Sequence, residues 1–185
     1  MFWQGATSPD AGSQSAIMMC TPGLSNCAAP TECIAATTAK LIASAGRLYW
    51  TDTVSNAIMS CTENDAVCGL PNTLAKGLTA PSVIAVDGTN VYWGDSTGIK
   101  QCPLSGCGSS APLVLGSGPQ NPSSLVASGN YVYWVNGSSV VRAQIGASNS
   151  AATIAPSLSG ATSITAGNEA IYFNVANGGV MMLAK

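Results

Sequence analysis

The sequence predicts an all-β fold built from repeated four-stranded antiparallel sheets, and three observations lead to this prediction. First, an aromatic pair recurs along the chain, with its second member at positions 3, 50, 93, 134 and 173. Second, each pair is followed by a polar turn and a short run that begins with a β-branched residue. Third, no segment keeps an apolar period of 3.6 residues over about 11 positions, as an amphipathic helix would.

The aromatic pairs set the period of the repeat. They are Phe2-Trp3, Tyr49-Trp50, Tyr92-Trp93, Tyr133-Trp134 and Tyr172-Phe173. Their second members are 47, 43, 41 and 39 residues apart, and all four tryptophans of the chain occupy this position. Repeats of roughly 40–50 residues are typical of propeller blades, whereas a β-sandwich gives no reason for a repeat in the sequence. We therefore predict a β-propeller of four-stranded antiparallel blades.

Each repeat should supply an inner strand, a tryptophan strand, a cysteine strand and an outer strand. The inner strands end in glycine turns at 41–46, 83–88, 125–129 and 164–167. The third strands begin at Ile17, Ile58, Ile99, Val141 and Val180, and the fourth strands are clearest at 112–115 and 152–155. We expect a single domain over residues 1–185, with repeats at approximately 1–40, 41–81, 82–122, 123–161 and 162–185.

Two of the repeats carry a recognisable motif. Residues 48–52 read Leu-Tyr-Trp-Thr-Asp, and residues 91–95 read Val-Tyr-Trp-Gly-Asp after the apolar run 83–88. The chain resembles the YWTD-type β-propellers of lipoprotein-receptor ectodomains. It is most similar to secreted bacterial propellers with Tyr-Trp strands and Cys-Pro-x-x-Gly-Cys hairpins, such as residues 102–107. The resemblance implies a propeller fold, and six blades in a complete receptor-type protein. The Thr-Asp part is missing from the fourth and fifth repeats.

The five repeats do not account for a full ring. Counted from the sequence they contain 18 strands, because the first repeat lacks its inner strand and the last lacks its outer strand. A closed five-bladed ring would need 20 strands. We expect an incomplete ring or a fragment of a larger propeller, and a five-bladed ring that tolerates two missing strands is the alternative.

Six of the seven cysteines form local pairs. The pairs are Cys20 with Cys27, Cys61 with Cys68, and Cys102 with Cys107. Each spacing lets a short hairpin loop close within the reach of a disulfide. Zinc sites are the alternative, but they usually combine more closely spaced pairs with each other or with histidine, and the chain has no histidine. We expect three disulfides and therefore an extracytoplasmic location: secreted, periplasmic or at the cell surface.

The fourth repeat fits the same interpretation of the cysteines as disulfide pairs. In the fourth repeat Gln144 takes the place of the first cysteine and the second is also missing, as expected of a covalent pair. Cys33 is left over. It aligns with Thr73 and Val114 in the outer strand, which predicts a small buried thiol.

The sequence offers little for catalysis. Without histidine the chain lacks the commonest general base. Residues 94–98 match the G-x-S-x-G pattern of serine hydrolases, but they fall on a turn between two strands and not on a strand-to-helix elbow, so Ser96 is not expected to be a nucleophile. Residues 63–65, Glu-Asn-Asp, form the one local acidic cluster, which we expect to be a solvated hairpin tip. Asp52 and Asp95 should accept hydrogen bonds from turns.

The aromatic residues of the repeat should be structural. We expect Trp3, Trp50, Trp93, Trp134 and Phe173 to pack between blades, and the alternative is a set of carbohydrate-stacking platforms. Tyr131 lies outside the repeated position and is a candidate for surface recognition. Residues 136–138, Asn-Gly-Ser, match a glycosylation sequon, which matters only in a eukaryotic secretory host.

Composition narrows the classes of partner. Only 8% of residues are charged, the net charge is −2, and the six cations are scattered, so no basic surface for nucleic acid is expected. No apolar stretch approaches the roughly 18 residues of a membrane-spanning helix. We expect a non-catalytic binding or scaffolding module for a protein, glycan or other surface ligand, without a cofactor. The alternatives are a calcium-dependent propeller hydrolase or lactonase, and a structural subunit that self-associates through unpaired terminal strands.

Overall fold

The structure, a computed structural model, describes residues 2–6, 15–19, 31–35, 38–64, 67–68, 70–118 and 122–185. In 2–35 it describes side chains only at Ala16 and Ile17, and at positions 38, 39, 64, 67, 68 and 177 it describes the backbone alone. The described chain is all-β apart from a single turn of 3₁₀ helix at Ala176–Gly178. This confirms the predicted fold class.

The strands group into five antiparallel sheets in chain order. Blade one contains β1 (Phe2–Ala6), β2 (Ser15–Met19) and β3 (Thr31–Ala35). Blade two contains β4 (Thr38–Ser44), β5 (Arg47–Asp52), β6 (Ala57–Asn64), β7 (Val67–Cys68) and β8 (Asn72–Ala75). Blade three contains β9 (Val83–Val86), β10 (Asn90–Asp95), β11 (Gly98–Pro103) and β12 (Leu113–Ser117). Blade four contains β13 (Pro122–Ser128), β14 (Tyr131–Asn136), β15 (Ser139–Gln144) and β16 (Ala152–Ala155). Blade five contains β17 (Ile164–Ala166), β18 (Ala170–Asn174) and β19 (Val180–Ala184).

The strand count differs from the sequence-based one by a single short element. The described residues contain 19 strands, because the two-residue strand β7 pairs with the end of β6 inside the loop between Cys61 and Cys68. The main strands of the blades otherwise number three, four, four, four and three, as predicted. The inner strands of neighbouring blades lie side by side, β4 beside β9, β9 beside β13 and β13 beside β17.

The five sheets do not close into a ring. Among the described strands, no hydrogen-bonded pairing links blade five with blade one. Blade one instead contacts blade two, through β1 against β4 and β3 against β7. The structure is therefore an open array of propeller blades.

The Tyr-Trp dipeptide accounts for how the blades stack. Successive residues of a strand point to opposite faces of the sheet, so the tyrosine faces the next blade and the tryptophan faces the previous one. Tyr92 of blade three shares a buried cluster with Trp134 of blade four. Tyr49 shares one with Trp93, and Tyr133 shares one with Phe173. Each layer between blades thus combines the tyrosine side of one sheet with the tryptophan side of the next.

A β-bulge recurs at one place in four blades. The register between the third and fourth strands shifts at the same position in blades one to four. The unpaired residue of the fourth strand is Leu74 in blade two and Leu115 in blade three, and both are buried. By backbone register the corresponding residue of blade one is Cys33, so its predicted alignment with Thr73 and Val114 is wrong by one position. Cys33, Leu74 and Leu115 each lie 16 residues after the isoleucine of their third strand, which is Ile17, Ile58 and Ile99 respectively.

Candidate functional site

A recess of about 610 Å³ opens between blades two and three. One wall is the end of the outer strand β8, residues 73–76, and the other is the loop 107–112 that leads from β11 to β12. We call this recess the hairpin groove. Its side chains are mainly small or hydroxyl-bearing, with one cation, Lys76, and no carboxylate.

A disulfide fixes the loop that forms one wall. Cys102 and Cys107 are bonded, with their Cα atoms 5.2 Å apart, which confirms the predicted pair. The Gly106 N–H donates a 2.8 Å hydrogen bond to the Pro103 carbonyl and closes the turn between the two cysteines. Because the crosslink spans only a five-residue separation, the loop has little freedom to move away from the groove.

The same hairpin is docked on the preceding blade. The Cys107 N–H donates a 2.9 Å hydrogen bond to the carbonyl of Leu74, the buried bulge residue of β8. Gly106 adopts a φ of +93°, and a Cβ added there would lie 3.2 Å from the Leu74 carbonyl oxygen. Glycine is therefore needed both for the turn conformation and for the close approach of the two backbones. The groove walls are held together by this contact.

A second recess lies on the other side of the loop. It has a volume of about 250 Å³ and shares Cys107, Ser110 and Ala111 with the hairpin groove. Its lining also includes the amide side chains of Asn90 and Gln101. The disulfide-bonded loop therefore presents neutral hydrogen-bonding groups on both of its sides. Such a surface suits a ligand that is itself neutral and rich in donors and acceptors.

The other predicted disulfides are described only in part. Cys61 is buried and disulfide-bonded, while the side chain of Cys68 lies outside the described part. Cys20 and Cys27 lie outside the described residues altogether. In blade one Cys33 is described by its backbone in β3.

Blade four closes the equivalent loop without cysteine. Val132, which matches Val91 of blade three, pairs with Ala143, while Val91 pairs with Cys102. The prediction that Gln144 takes the place of the first cysteine is thus wrong by one residue. The Gln144 N–H donates a 2.9 Å hydrogen bond to Ser150 Oγ, and the Ser150 hydroxyl donates a 3.0 Å hydrogen bond to the carbonyl of Ala147. A serine hydroxyl therefore holds this loop.

The loop of blade four also docks on the blade before it. The Asn149 N–H donates a 2.9 Å hydrogen bond to the carbonyl of Val114 in β12. The Gly146 N–H donates a 3.0 Å hydrogen bond to Gln101 Oε1. Docking of the third-to-fourth-strand loop on the preceding outer strand thus recurs with and without a disulfide.

The repeated aromatics lie inside the molecule wherever their side chains are described. Trp50, Trp93, Trp134 and Phe173 are all buried between neighbouring sheets. The ring of Trp134 covers Gly116 of blade three, where an added Cβ would lie 3.4 Å from the indole. The indole nitrogens of Trp50 and Trp93 are buried without a hydrogen-bond partner. The side chain of Trp3 lies outside the described part, and β1 is described by its backbone.

Tyr131, the predicted candidate for surface recognition, is the first residue of β14. The Arg142 guanidinium lies 4.6 Å from the centre of its ring, and its ring centre is 6.1 Å from that of Tyr133. Tyr131 is only half-buried. It therefore remains a candidate for recognition together with Arg142, at a distance from the hairpin groove.

Asp95 is a buried carboxylate with internal partners. It is 1% exposed, and Lys100 Nζ lies 2.7 Å from its Oδ2. The Thr97 N–H and hydroxyl donate to its Oδ1 at 2.8 and 2.6 Å. Burial alone would raise the pKa of Asp95, but the hydrogen bonds from Lys100 and Thr97 outweigh it, so the pKa is lowered. The expected acceptance of turn hydrogen bonds is confirmed.

Asp52 and Asp87 also accept hydrogen bonds from nearby residues. Asp52 Oδ1 accepts hydrogen bonds from the N–H groups of Val54 and Ser55 at 2.9 and 3.0 Å. The Tyr92 hydroxyl donates a 2.6 Å hydrogen bond to Asp87 Oδ2. Burial would raise the pKa of Asp87, but the hydrogen bonds from Tyr92 and from residues 89 and 90 lower it below its usual value. Burial and the neighbouring carboxylate both raise the pKa of Tyr92.

The remaining candidate residues do not assemble into a catalytic or metal site. Ser96 is exposed in the turn between β10 and β11, which is not a strand-to-helix elbow. Glu63 is exposed at the end of β6, and Asp65 lies outside the described residues. Within the described part of the chain, no three His, Cys, Asp or Glu side chains come together in a way that could hold a metal ion. The residues described also include no helix that could span a membrane.

Several contacts in and around the site were not predicted from the sequence. The Ser150 bridge and the Asp95–Lys100 ion pair involve side chains that no motif marks. The docking of Cys107 on Leu74 joins segments 33 residues apart. The sequence does contain a signal for this docking contact. The glycine of the Cys-Pro-x-x-Gly-Cys hairpin is the residue that permits the close approach of the two backbones.

No protein-family model matches the chain, and no curated protein matches its sequence significantly. Solved structures match its fold. A nidogen/laminin complex is similar over 99% of this chain and 88% of its own, with 14% identity and a TM-score of 0.59. The gluconolactonase XC5397 from Xanthomonas campestris is similar over 78% of this chain and 56% of its own, with 12% identity and a TM-score of 0.61. BamB from Moraxella catarrhalis is similar over 82% of this chain and 43% of its own, with 14% identity and a TM-score of 0.55. At these identities the likeness concerns the fold, which is that of β-propellers.

Proposed function

We propose that this chain is a non-catalytic, extracytoplasmic binding or scaffolding module that holds a protein or glycan ligand in the hairpin groove. The observation that carries the proposal is the hydrogen bond from Cys107 to the carbonyl of Leu74. It ties a disulfide-locked loop to the edge of the neighbouring blade and gives the groove two preformed walls. Preformed walls favour binding because little conformational entropy is lost when a ligand enters.

The chemistry of the groove supports a neutral ligand. Thr73, Ser109 and Ser110 supply hydroxyl groups, and Lys76 is the one charged side chain of its lining. Hydroxyls and backbone groups bind partners that offer donors and acceptors of their own, such as a sugar or an extended peptide. The lining supplies one titratable side chain, Lys76, and no carboxylate or histidine that could act with it in acid–base catalysis.

The crosslink supports the proposed extracytoplasmic location. The Cys102–Cys107 disulfide supports an oxidising compartment, because such bonds are rarely maintained in the cytosol. The fold likeness to the nidogen component of a nidogen/laminin complex supports a binding role, since that structure contains two proteins bound to each other.

We also infer that the chain is related to YWTD-type propellers. In blade two the Thr and Asp of the motif make hydrogen bonds that stabilise the fold. Thr51 Oγ1 accepts a 3.0 Å hydrogen bond from the Lys40 N–H of the inner strand. Asp52 caps the following turn by accepting two backbone hydrogen bonds. The Thr and Asp of the motif therefore serve the fold and leave the binding surface to other residues.

A calcium-dependent hydrolase or lactonase is the second candidate. The fold likeness to a gluconolactonase speaks for it. Asp87 and Asp95 already bind Tyr92 and Lys100. This argues against the second candidate, because a calcium site needs several free oxygen ligands.

The proposal is tested by titrating the ¹⁵N-labelled protein with chitotetraose and, separately, with an extended uncharged peptide. We expect chemical-shift changes at residues 73–76 and 107–112 for one of the two probes. The variant Ser110→Trp should fill the groove and abolish them, and Ser148→Trp is the matched control, since Ser148 is exposed on the equivalent loop of blade four. Shifts confined to other surfaces, or undiminished by Ser110→Trp, would contradict the proposal.

A further inference from the structure

The hairpin groove is bounded largely by main chain. Leu74 and Ala75 line one wall, although both residues are buried, at 2% and 6% exposed. Their side chains lie in the core, so they present mainly backbone atoms to the groove. The other wall is the continuous segment 107–112, which includes Gly108. A ligand in the groove therefore meets peptide groups more than side chains.

The first wall is the edge of a sheet. Among the described strands, β8 pairs with β6 alone, and no strand pairs with its outer edge. In an antiparallel sheet, every second residue of an edge strand directs its N–H and C=O away from the paired strand. The Leu74 carbonyl already accepts a main-chain N–H, that of Cys107, at 2.9 Å. The edge of β8 thus binds main chain where the hairpin reaches it.

The second wall supplies main-chain donors. The Ser110 N–H is used within the loop, where it donates a 3.0 Å hydrogen bond to the Cys107 carbonyl. The N–H groups of Gly108, Ser109 and Ala111 have no backbone acceptor among the described residues. All three residues are exposed. The groove therefore places unused backbone donors across from a strand edge, and the peptide groups of an extended chain match such a pair of walls.

The charge of the groove narrows the partner further. Lys76 directly follows β8 and is the one charged side chain of the lining. It is exposed and makes no ion pair among the described residues. The lining holds no aromatic side chain, so it offers no ring on which a sugar could stack. A peptide with an acidic residue at one end of the groove complements this wall.

We propose that the ligand of the hairpin groove is an extended segment of a partner protein, which lies along the outer edge of β8 and is bound through its main chain. One acidic side chain of the segment pairs with Lys76, and the rest of the segment in the groove is uncharged. Main-chain hydrogen bonds supply the affinity in this mode of recognition, and the lysine supplies selectivity. The inference rests on the proposed function, because it concerns the same groove.

The first test asks whether the main chain of the ligand is recognised. The probe is a blocked hexapeptide of alternating threonine and valine with a glutamate added at each end, titrated by calorimetry. Two further versions carry N-methyl groups on every second amide, in the two possible registers. At least one of them should bind about tenfold more weakly, since it loses two or more hydrogen bonds. If both bound as tightly as the unmodified peptide, main-chain recognition would be ruled out.

The second test asks whether Lys76 reads the acidic residue. The glutamate peptide should bind about two- to fivefold more tightly than a counterpart with glutamine at both ends, as expected of an exposed ion pair. Lys76→Met should remove this difference. Lys40→Met is the matched control and should preserve it, because Lys40 is exposed and lies outside the groove lining. A wild-type protein that does not distinguish the two peptides, or a preference that survives Lys76→Met, would overturn the assigned pairing.

The nuclear magnetic resonance titration separates a failure of this inference from a failure of the proposed function. The glutamate peptide should shift the amide signals of residues 73–76 and 107–112. If chitotetraose shifted these signals and the peptides did not, the groove would be a glycan site and the present inference would fall alone. If neither probe shifted them, both the inference and the proposed function would fall.

Discussion

Cys107 donates its backbone N–H to the carbonyl of Leu74, 2.9 Å away on the preceding blade. The bond joins the tip of a disulfide-bonded hairpin to the bulge residue of an outer strand. This hydrogen bond therefore connects the disulfide within one blade to the contact between two blades. The stability of the hairpin and the shape of the groove therefore depend on the same few atoms.

Removal of the crosslink should lower the stability of the protein measurably. For the double variant Cys102→Ser/Cys107→Ser we expect the free energy of unfolding to fall by about 2 kcal/mol, the chain-entropy value for so short a loop. Chemical denaturation followed by tryptophan fluorescence provides the measurement. Ser150→Ala is the companion variant in blade four and should cost about 1 kcal/mol, since it removes hydrogen bonds only. A double variant as stable as the wild type would show that the loop is held by docking alone.

Truncation of Trp134 should be far more damaging than truncation of an exposed apolar residue. Trp134→Ala empties the layer between blades three and four, and we expect a loss of about 3–5 kcal/mol. Leu70→Ala, at a highly exposed position, should change the free energy of unfolding by less than about 0.5 kcal/mol. Equal effects of the two variants in a urea titration would refute the described packing.

The repeat made much of the fold predictable, because large aromatic residues are needed at one position in every blade. The exact alignment of residues from one repeat to the next was harder to predict. Val140 and Val141 are both β-branched, so the pattern alone could not decide which of them begins the third strand, and Gln144 was misplaced as a result. Cys33 was misplaced because blade one has cysteine where blades two and three have Leu74 and Leu115, so the residue types did not mark the equivalent position.

The candidate groove could not be predicted from local patterns. Its walls come from residues 73–76 and 107–112, which meet only when two blades pack at a particular angle. The pattern of cysteines located the hairpin, but it did not show that Cys107 would dock on Leu74. Contacts between blades depend on the geometry of the whole array, and the sequence of one hairpin does not encode it.

Acid should destabilise the protein through Asp95. Its pKa is lowered in the folded state, so the carboxylate stabilises the fold above its ordinary pKa, and that stability is lost as the pH falls through the folded value. Lys100→Met leaves the buried carboxylate without its cation and should cost about 2–4 kcal/mol near neutral pH. The acidic limb of the stability curve should also become shallower.

The check is a set of urea titrations at successive pH values. Lys76→Met is the matched control, because Lys76 is exposed and makes no ion pair among the described residues. Its curve should overlay that of the wild type. If Lys100→Met also overlaid the wild type at every pH, the ion pair would contribute nothing to stability.

Calcium should leave the melting temperature unchanged. The carboxylates of Asp52, Asp87 and Asp95 already accept hydrogen bonds from their own turns and strands, and a calcium ion would have to displace these donors. We expect no shift at millimolar calcium compared with a sample in chelator, measured by differential scanning calorimetry. A saturable rise in melting temperature would favour the hydrolase or lactonase alternative, because a ligand that binds the folded state raises its stability.

The serine bridge of blade four has a consequence for how the chain matures. A loop held by the Ser150 hydroxyl is complete as soon as the backbone folds, whereas the loop of blade three is complete only after two thiols have been oxidised. Blade four can thus finish folding without an oxidant, and blade three cannot. The final shape of the groove is reached only where an oxidant is present.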